Sequence, residues 1–484
     1  MRKRFELQLS IGQTPISEIY IHPTSKNALD QLIAALKEIY CNREYNDKIF
    51  SIIEKYLPKV DSNTGRPGMN LWTIFVLGQV RMSLGLSYDM LQNLSNNHLL
   101  LRKLLGFSEV FGEEPFEFEY QNIYDNVSKL SDSMLVELND VIVEFGHREV
   151  FKKKETTALR LKTDSFVVES NVHFPTDYNL LWDCARKSLD VVNFFVKKYP
   201  QIEGWRKIKN WRSELKSLMR ELGRISGGGG KNKQEKLQKA TQSYLSKSRL
   251  LLNKLVFEKN NLPLCDQYDL TKHIELEYYM QFLVKHIDLV DRRILQGETI
   301  PHEEKMMSIF ETYTEWVVKG KFRPGVELGK KTSITSDQYD LIVHHKVMSH
   351  EQDRDVVVEI ADALLEKYKL IDSMSFDKGH WSKENRELLE LEIPQVILPK
   401  LGKLTDSEQE VEGSRTFKHL KNKHSAIESN INELEHRGLD RCPDRGYFHF
   451  KTYIALGVCA YNLKKIGKKL LANQLEKAPL KKVA

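Results

Sequence analysis

Three acidic residues are placed where carboxylates from separate elements of the chain could converge on one point. Asp164 lies within a predicted strand, Asp377 follows the end of a later predicted strand, and Glu428 lies on a predicted helix beside its buried apolar stripe. Mg²⁺ is a hard cation that prefers oxygen ligands. Two such ions about 4 Å apart can activate a nucleophile and stabilise the leaving oxygen of a phosphodiester. Strand ends and an adjacent helix hold such ligands in fixed positions, so the three residues could form a divalent-metal site.

Residue type and position do not by themselves select these three carboxylates. The chain has 484 residues, of which 67 are acidic, and each of the three also has an ordinary structural interpretation. An acid can cap a helix, stabilise a turn or lie on a solvated helix surface. Elementary chemistry therefore makes the metal site possible and leaves the choice of residues open.

The elements that would carry these residues alternate between strands and helices. The predicted strands are one through Asp164, and others at 341–343, 370–376 and 396–398; the predicted helices are at 354–368, 417–434 and 450–466. Long helices are predicted between 180 and 310, and four glycines at 227–230 interrupt them. This order predicts an α/β core, a mixed sheet with flanking helices, that is interrupted by a large α-helical insertion.

The first 155 residues have the pattern of an all-α N-terminal domain. Helices are predicted at 25–39, 46–57, 71–84, 88–96, 98–105 and within 116–150, because apolar residues recur every three or four positions. Gly85 ends one helix and Ser87 can cap the next, which is the spacing of a helix-turn-helix unit. Its polar residues Gln92, Asn93 and Asn96 could contact DNA, although many helical bundles contain such a turn.

Positive charge is concentrated in one block, residues 197–260. The whole chain carries a net charge of +6, while this block contains 17 Lys and Arg against 5 Asp and Glu. Neutralising phosphates with such a surface releases counterions and favours binding to nucleic acid. A solvated face of long helices explains the block equally well. The candidate DNA contacts within it are Lys207, Lys209, Arg212, Lys231 and Lys233.

Composition excludes several other classes of protein. With 41% hydrophobic and 29% charged residues, we expect a soluble globular protein rather than a disordered one. There is no stretch of 18 apolar residues and no signal-peptide pattern, so we expect a cytoplasmic protein without a membrane span. Five widely spaced cysteines disfavour both a disulfide framework and a four-cysteine zinc site. The predicted divisions are a helical domain at 1–155, the two parts of the core at 156–183 and 313–470, a basic insertion at 184–312, and a basic tail at 471–484.

Five segments of the chain resemble motifs of one enzyme family. Three contain the acidic residues: KTDSFVVESNVHFPTD at 162–177, SFDKGHWSKEN at 375–385 and HSAIESNINELEHRGLDRC at 424–442. Two others are GRPGM at 65–69 and TEWVVKGK at 314–321. In this order they resemble the motifs of DDE-type transposases of bacterial insertion sequences, especially the group called ISNCY. The resemblance covers nearly the whole chain.

The resemblance implies an RNase H-like catalytic core in which Asp164, Asp377 and Glu428 bind Mg²⁺, with Mn²⁺ as a substitute. Such enzymes hydrolyse a phosphodiester at the transposon end and then use the freed 3′-hydroxyl to attack target DNA. The implied partners are double-stranded DNA, as terminal inverted repeats and target, and a second copy of the chain; the enzyme would work on the nucleoid. Many relatives have a basic residue seven positions after the glutamate. Here that position is Glu435, so Arg437 or Lys423 would take its role.

Two other functions remain open on this sequence. The first is a metal nuclease of the same fold that cuts without joining, and the second is a non-catalytic DNA-binding relative. Several further residues have paired interpretations. His173, Thr176 and Asp177 could shape the site or stabilise a turn; His344 and His345 are structural; His424 could orient Glu428 or lie in the core; and Arg66 could enter a minor groove or lie in an exposed loop.

Overall fold

The computed structural model describes residues 4–5, 14–57, 68–107, 116–318 and 325–477. The chain forms two compact units. Unit 1 consists of Met1–Asn171 together with Val317–Ala484, and unit 2 consists of Val172–Trp316. Cys41 and Cys265 are exposed, and Cys184, Cys442 and Cys459 are buried. Within the part of the chain that the structure describes, no helix combines the length and the apolar composition needed to cross a membrane.

Unit 1 begins with the predicted series of helices. These are α1 (Ala28–Cys41), α2 (Arg43–Tyr56), α3 (Leu71–Leu84), α4 (Tyr88–Asn97), α5 (Leu99–Leu104), α6 (Tyr120–Val127) and α7 (Asp132–Phe145). Ser87 caps α4 as predicted, because its side chain accepts a hydrogen bond from the N–H of Met90. The helix expected within 116–150 is two helices, and Ser131 caps the second.

A mixed sheet of seven strands forms the other half of unit 1. The strands are β1 (Leu159–Ser170), β2 (Glu315–Val318), β3 (Val326–Ser336), β4 (Ile342–Val347), β5 (Ile371–Phe376), β6 (Gln395–Ile397) and β7 (Arg441–Cys442). The central order is β2-β3-β1-β5-β6, with β4 paired to β3 and β7 paired to β1. β3 is antiparallel to β1 and β4, whereas β5 and β7 are parallel to β1, and β6 is parallel to β5. The predicted mixed α/β sheet is confirmed.

The helices that follow the strands are α12 (Val357–Lys367), α13 (Lys383–Glu392), α14 (Asp406–Gly413), α15 (Arg415–His424), α16 (Ala426–Leu434) and α17 (Tyr447–Lys477). The single helix predicted at 417–434 is α15 and α16, which meet at Ser425. A π-helical turn, Glu435–Leu439, follows α16, and Gly438 adopts a φ of 105° there. Glycine tolerates this left-handed conformation without steric cost.

The N-terminal helices and the sheet belong to one unit, which differs from the predicted separate domain at 1–155. The reason is α17, which packs against α1, α3, α7 and β4. The Asn462 side chain on α17 donates to the Asn139 side chain on α7 and to the carbonyl of Ile342 on β4, at 2.8 Å each. Local periodicity predicts the helix and gives no information about these distant partners.

Unit 2 contains four long helices: α8 (Asp177–Lys198), α9 (Ile208–Gly227), α10 (Lys233–Glu258) and α11 (Gln267–Val290). It spans 172–316, so it begins before the predicted insertion boundary at 184 because Thr176 already caps α8. The glycines at 227–230 end α9 and lead to α10. Trp205 and Tyr244 are buried in the core of this unit, so these aromatic residues of the basic block pack internally.

Candidate functional site

The first two predicted acids are brought together by the pairing of two parallel strands. The β1–β5 pairing runs from Leu159 opposite Ile371 to Thr163 opposite Phe376. Asp164 and Asp377 each follow the last paired residue of their segment. Because neighbouring parallel strands lie about 4.8 Å apart, residues at equivalent positions on them are close in space.

The electrostatics of Asp164 show that negative charges crowd around it. Its pKa is raised to about 6. Burial is the main cause, and the charges of Asp377 and Asp353 add to it. The N–H of Ser165 and the charge of His380 act in the opposite direction. A cation placed between the carboxylates would relieve this repulsion.

Asp377 is held by the turn that it begins. Its Oδ1 accepts hydrogen bonds from the N–H of Gly379, at 2.9 Å, and from Nδ1 of His380. Burial opposes ionisation of Asp377, but the His380 hydrogen bond and charge outweigh it and lower the pKa of the carboxyl group. Within the described residues, no hydrogen bond reaches Oδ2 of Asp377 or Oδ2 of Asp164. Each aspartate therefore has one oxygen available to a cation.

A third aspartate, Asp353, lies beside this pair. It directly precedes the predicted helix at 354–368, a position typical of a helix cap, but the cap of that short turn is Gln352. The Asp353 carboxylate instead accepts hydrogen bonds from Oγ of Ser165, at 2.6 Å, and from Nζ of Lys331, at 2.7 Å. A Cβ on Gly379 would lie 3.2 Å from Oδ1 of Asp377 and 3.4 Å from Oδ2 of Asp353. Nothing in the local pattern around Asp353 signals this long-range contact.

Glu428 lies on α16, whose buried face is formed by other residues. Its side chain is exposed to solvent. Among the residues that the structure describes, no three His, Cys, Asp or Glu side chains are grouped so that they could hold one metal ion. The role of Glu428 as the third metal ligand therefore stays a prediction. The two aspartates still fit Mg²⁺, which commonly keeps several waters and binds through one or two carboxylates and substrate phosphates.

Two histidines line the region behind the aspartates. The His380 ring is fully buried, and Nδ1 bonds to Asp377. Nδ1 of His424 lies 3.0 Å from Oγ of Ser375 on β5, so its partner is this hydroxyl and not the predicted Glu428. Burial is the main reason that the pKa of His424 is lowered to about 4, which leaves the ring neutral at pH 7.

A cleft of about 240 Å³ opens on the same part of the sheet. Its lining includes Arg160 and Lys162 from β1 and Lys423 from α15. Residues two apart on a strand share a face, so Arg160 and Lys162 lie on the face of Asp164. Lys162 pairs with Asp340 at 3.3 Å. The cleft therefore has an excess of positive charge, and Lys423 lies where the sequence predicts a DNA contact.

Two of the three helix-turn-helix candidates form hydrogen bonds within the protein. The Gln92 side chain donates to the carbonyl of Phe118 at 2.9 Å. Asn96 forms two hydrogen bonds with the same residue, to its carbonyl at 3.0 Å and from its N–H at 2.8 Å. These amides fasten the segment before α6 and are not free to contact bases. Asn93 is exposed and remains available.

The candidate contacts in the basic block of unit 2 divide into two groups. Lys207, Lys209 and Lys231 are exposed, and Lys233 is half-buried. Arg212 forms an ion pair with Asp190, so part of its charge is neutralised. Other basic residues of the block also have acidic partners: Lys198, Lys239, Lys247, Arg249 and Lys259. This pairing favours the solvated-helix interpretation for these six residues.

The remaining singled-out residues have structural partners or fall outside the described residues. His173 bonds to Asp183 at 2.5 Å, Thr176 caps α8, and Asp177 pairs with Arg293, all within unit 2. Burial lowers the pKa of His344 to about 3 and that of His345 to about 4, so both are neutral structural residues. Arg66, with the rest of 65–67, and residues 319–321 lie outside the described residues.

Comparison with known proteins identifies no relative of this chain. No family model, no curated protein and no solved structure matches the chain. The features that bear on function are therefore the sequence motifs and the geometry around Asp164 and Asp377.

Proposed function

We propose that the protein is a DDE transposase of a bacterial insertion sequence, which binds transposon-end DNA and carries out metal-dependent strand cleavage and strand transfer. The observation that carries this proposal is the placement of Asp164 and Asp377 directly after the paired segments of two neighbouring parallel strands. The motifs resembling this family contain these same two residues. The geometry of the sheet and the family resemblance therefore both support the choice of this pair of carboxylates.

The sheet supports the RNase H-like core that the resemblance implies. Its first strand, β1, carries Asp164, and its parallel neighbour β5 ends immediately before Asp377. α16, which carries Glu428, packs against β1. In chain order, the helical unit 2 lies between the two antiparallel strands β1 and β3. This arrangement agrees with a core interrupted by a helical insertion.

In the proposed site, Asp164 and Asp377 hold divalent metal, and Glu428 is the third ligand predicted from the motif. Bound Mg²⁺ supplies an activated water and stabilises the leaving oxygen at phosphorus. His380 holds Asp377 in its ionised form and fixes its orientation through Oδ1. Lys331 neutralises Asp353, which keeps a third negative charge from repelling the substrate phosphate.

The substrate of this site would be the DNA backbone. Arg160, Lys162 and Lys423 line the cleft on the sheet face of Asp164. Lysine and arginine side chains position a nucleic acid by binding its phosphates and carry no sequence information by themselves. Because two transposon ends must be processed together, the active assembly would contain two copies of the chain on DNA. The family resemblance implies this two-copy assembly.

The test is a set of single isosteric substitutions: Asp164→Asn, Asp377→Asn and Glu428→Gln. The substrate is a duplex carrying the sequence that flanks the coding region, incubated with Mg²⁺ or Mn²⁺. We expect each variant to lose cleavage and joining while retaining DNA binding in a gel-shift assay. Asp362→Asn is the matched control, because Asp362 is exposed on α12.

Each outcome of this test assigns a function. Cleavage with joined products supports a transposase, and cleavage alone supports a metal nuclease of the same fold. DNA binding without cleavage by the unaltered protein supports the non-catalytic relative. Normal cleavage by Glu428→Gln would remove Glu428 from the site and leave the two aspartates as its acidic residues.

A further inference from the structure

A second cleft in unit 1 shares no lining residue with the cleft beside Asp164, and it includes Arg437, one of the predicted DNA contacts. It has a volume of about 320 Å³. Three segments contribute to it: the chain entering α1, the end of α16 with its π-helical turn, and the middle of α17. Its lining residues are Lys26, Gln31, Glu433, Arg437, Lys464, Lys465 and Lys468.

The charges of this cleft are not balanced. Five of its side chains are cationic and one is a carboxylate. Glu433 pairs with Lys464 and also with Lys465, at 3.4 Å. Among the described residues, no ion pair or side-chain hydrogen bond reaches Lys26, Arg437 or Lys468. Three positive charges therefore converge on the cleft without an acidic partner.

Partial burial strengthens the field of these charges. The Lys464 side chain is only 12% exposed. Burial lowers its pKa, the hydrogen bond to Glu433 opposes this, and the charges of Arg437 and Lys465 lower it further. Charges interact more strongly where solvent is partly excluded. An anion in the cleft would remove the mutual repulsion of the cations.

The cleft is formed by elements that contact one another closely, so the backbone positions that carry its cations are fixed. Lys464, Lys465 and Lys468 occupy neighbouring positions on α17. At Gly467, α17 approaches α1 so closely that a Cβ would lie 1.7 Å from the carbonyl oxygen of Gln31. The hydroxyl of Tyr461 on α17 donates to the Asn430 side chain on α16 at 2.8 Å. Three elements are thus fixed around one opening.

We propose that this cleft binds phosphate groups of the DNA backbone at a position distinct from the catalytic aspartates. The inference rests on the proposed function, since DNA is the source of the phosphates. Ammonium and guanidinium groups dominate its lining, and they recognise phosphate rather than base edges. The cleft therefore contributes affinity that is independent of sequence, and it fixes how duplex DNA lies on unit 1.

The test replaces only the cations that have no partner. The cleft variant combines Lys26→Gln, Arg437→Gln and Lys468→Gln, so no internal ion pair is lost. The control variant combines Lys154→Gln, Lys369→Gln and Lys403→Gln, three exposed lysines of unit 1 outside the cleft. Both variants lower the net charge equally. Circular dichroism checks that both remain folded.

The measurement is duplex affinity by fluorescence anisotropy between 50 and 300 mM salt, without divalent metal, on the flanking sequence and on an unrelated duplex. Each lost phosphate contact reduces the slope of log K against log salt by about 0.9. For the cleft variant we expect the magnitude of this slope to fall by about 2 to 3 on both duplexes. The control variant should keep the slope of the unaltered protein. Arg437→Lys, which preserves the charge, should also keep it.

Failure of this inference is distinguishable from failure of the proposed function. If the cleft variant has the same slope as the control variant while the unaltered protein cleaves DNA, the cleft does not bind phosphate and the transposase proposal stands. If the slope falls but the unaltered protein neither cleaves nor joins DNA, the cleft is a phosphate site of a non-catalytic DNA-binding protein. Absence of any duplex binding by the unaltered protein would overturn both.

Discussion

Replacing Asp164 with Asn will stabilise unit 1 at pH 7.5 when no divalent metal is present. In the folded chain the pKa of Asp164 is raised from 3.8 to about 6, first by burial and then by the charges of Asp377 and Asp353. The folded protein therefore holds this proton more tightly than the unfolded chain does. Stability contributed by the protonated form is full below pH 3.8 and is lost as the pH rises through about 6.

The size of the effect follows from that difference in proton affinity. Each tenfold change in proton affinity is worth about 1.4 kcal/mol, so the raised pKa lowers the free energy of unfolding by about 3 kcal/mol at pH 7.5. Asp164 is only half-buried, and solvent screens such interactions, so the full value is reduced. We expect Asp164→Asn to raise the free energy of unfolding by about 1–2 kcal/mol at pH 7.5, and by about half of that at pH 5. Asn keeps the shape of the side chain and can still accept the hydrogen bond from Ser165.

Hydrogen exchange of peptides from β1 and β5 will measure the free energy of opening in this unit. Asp362→Asn, on the exposed surface of α12, is the control and should leave exchange unchanged at both pH values. Adding 10 mM Mg²⁺ should then slow exchange in the unaltered protein more than in Asp164→Asn, because a ligand that binds only the folded state stabilises it. Equal or faster exchange in Asp164→Asn at pH 7.5 would refute the argument that burial and the neighbouring charges disfavour the ionised form of Asp164.

Three further substitutions test other parts of the structure. Asn96→Ala removes two hydrogen bonds to Phe118 and should cost about 1–3 kcal/mol in urea unfolding; a change in DNA sequence preference without a loss of stability would restore the DNA-reading interpretation. Gly467→Ala places a methyl group against the Gln31 carbonyl and should cost about 3 kcal/mol or more; an unchanged melting temperature would contradict the close contact of α1 and α17. His380→Phe removes the hydrogen bond that lowers the pKa of Asp377, so calorimetric Mn²⁺ binding should require a higher pH; an unchanged pH dependence would show that His380 does not control this carboxylate.

Local sequence patterns were sufficient for the elements that carry the two aspartates. The change of period near residue 158 predicts β1, and the short segment 370–376, with apolar residues at Ile371, Met374 and Phe376, predicts β5. Their pairing in space is a tertiary property, and only the family resemblance joined Asp164 to Asp377. The break at Ser425 was not predictable from spacing, since apolar residues at 417–434 keep a helical period across it.

Interactions between distant segments account for what the sequence did not reveal. Asp353 precedes a predicted helix, so a cap was the natural interpretation, whereas its partners Ser165 and Lys331 lie on two other strands. Gln92 and Asn96 are polar residues on a short helix, a pattern common to DNA-reading helices and to amides that bind a neighbouring backbone. The choice between these roles depends on the position of Phe118, which no local pattern encodes.

The register of β1 and β3 has a consequence for how this chain can change over evolution. The antiparallel pairing of β1 and β3 extends to Glu169 opposite Gly329, while unit 2 and β2 come between these two strands in the chain. The whole helical unit is therefore inserted between two strands that pair directly with each other. A helical unit of another size, or a short turn, could therefore be exchanged at this point without altering the alignment of the strands that carry Asp164 and Asp377.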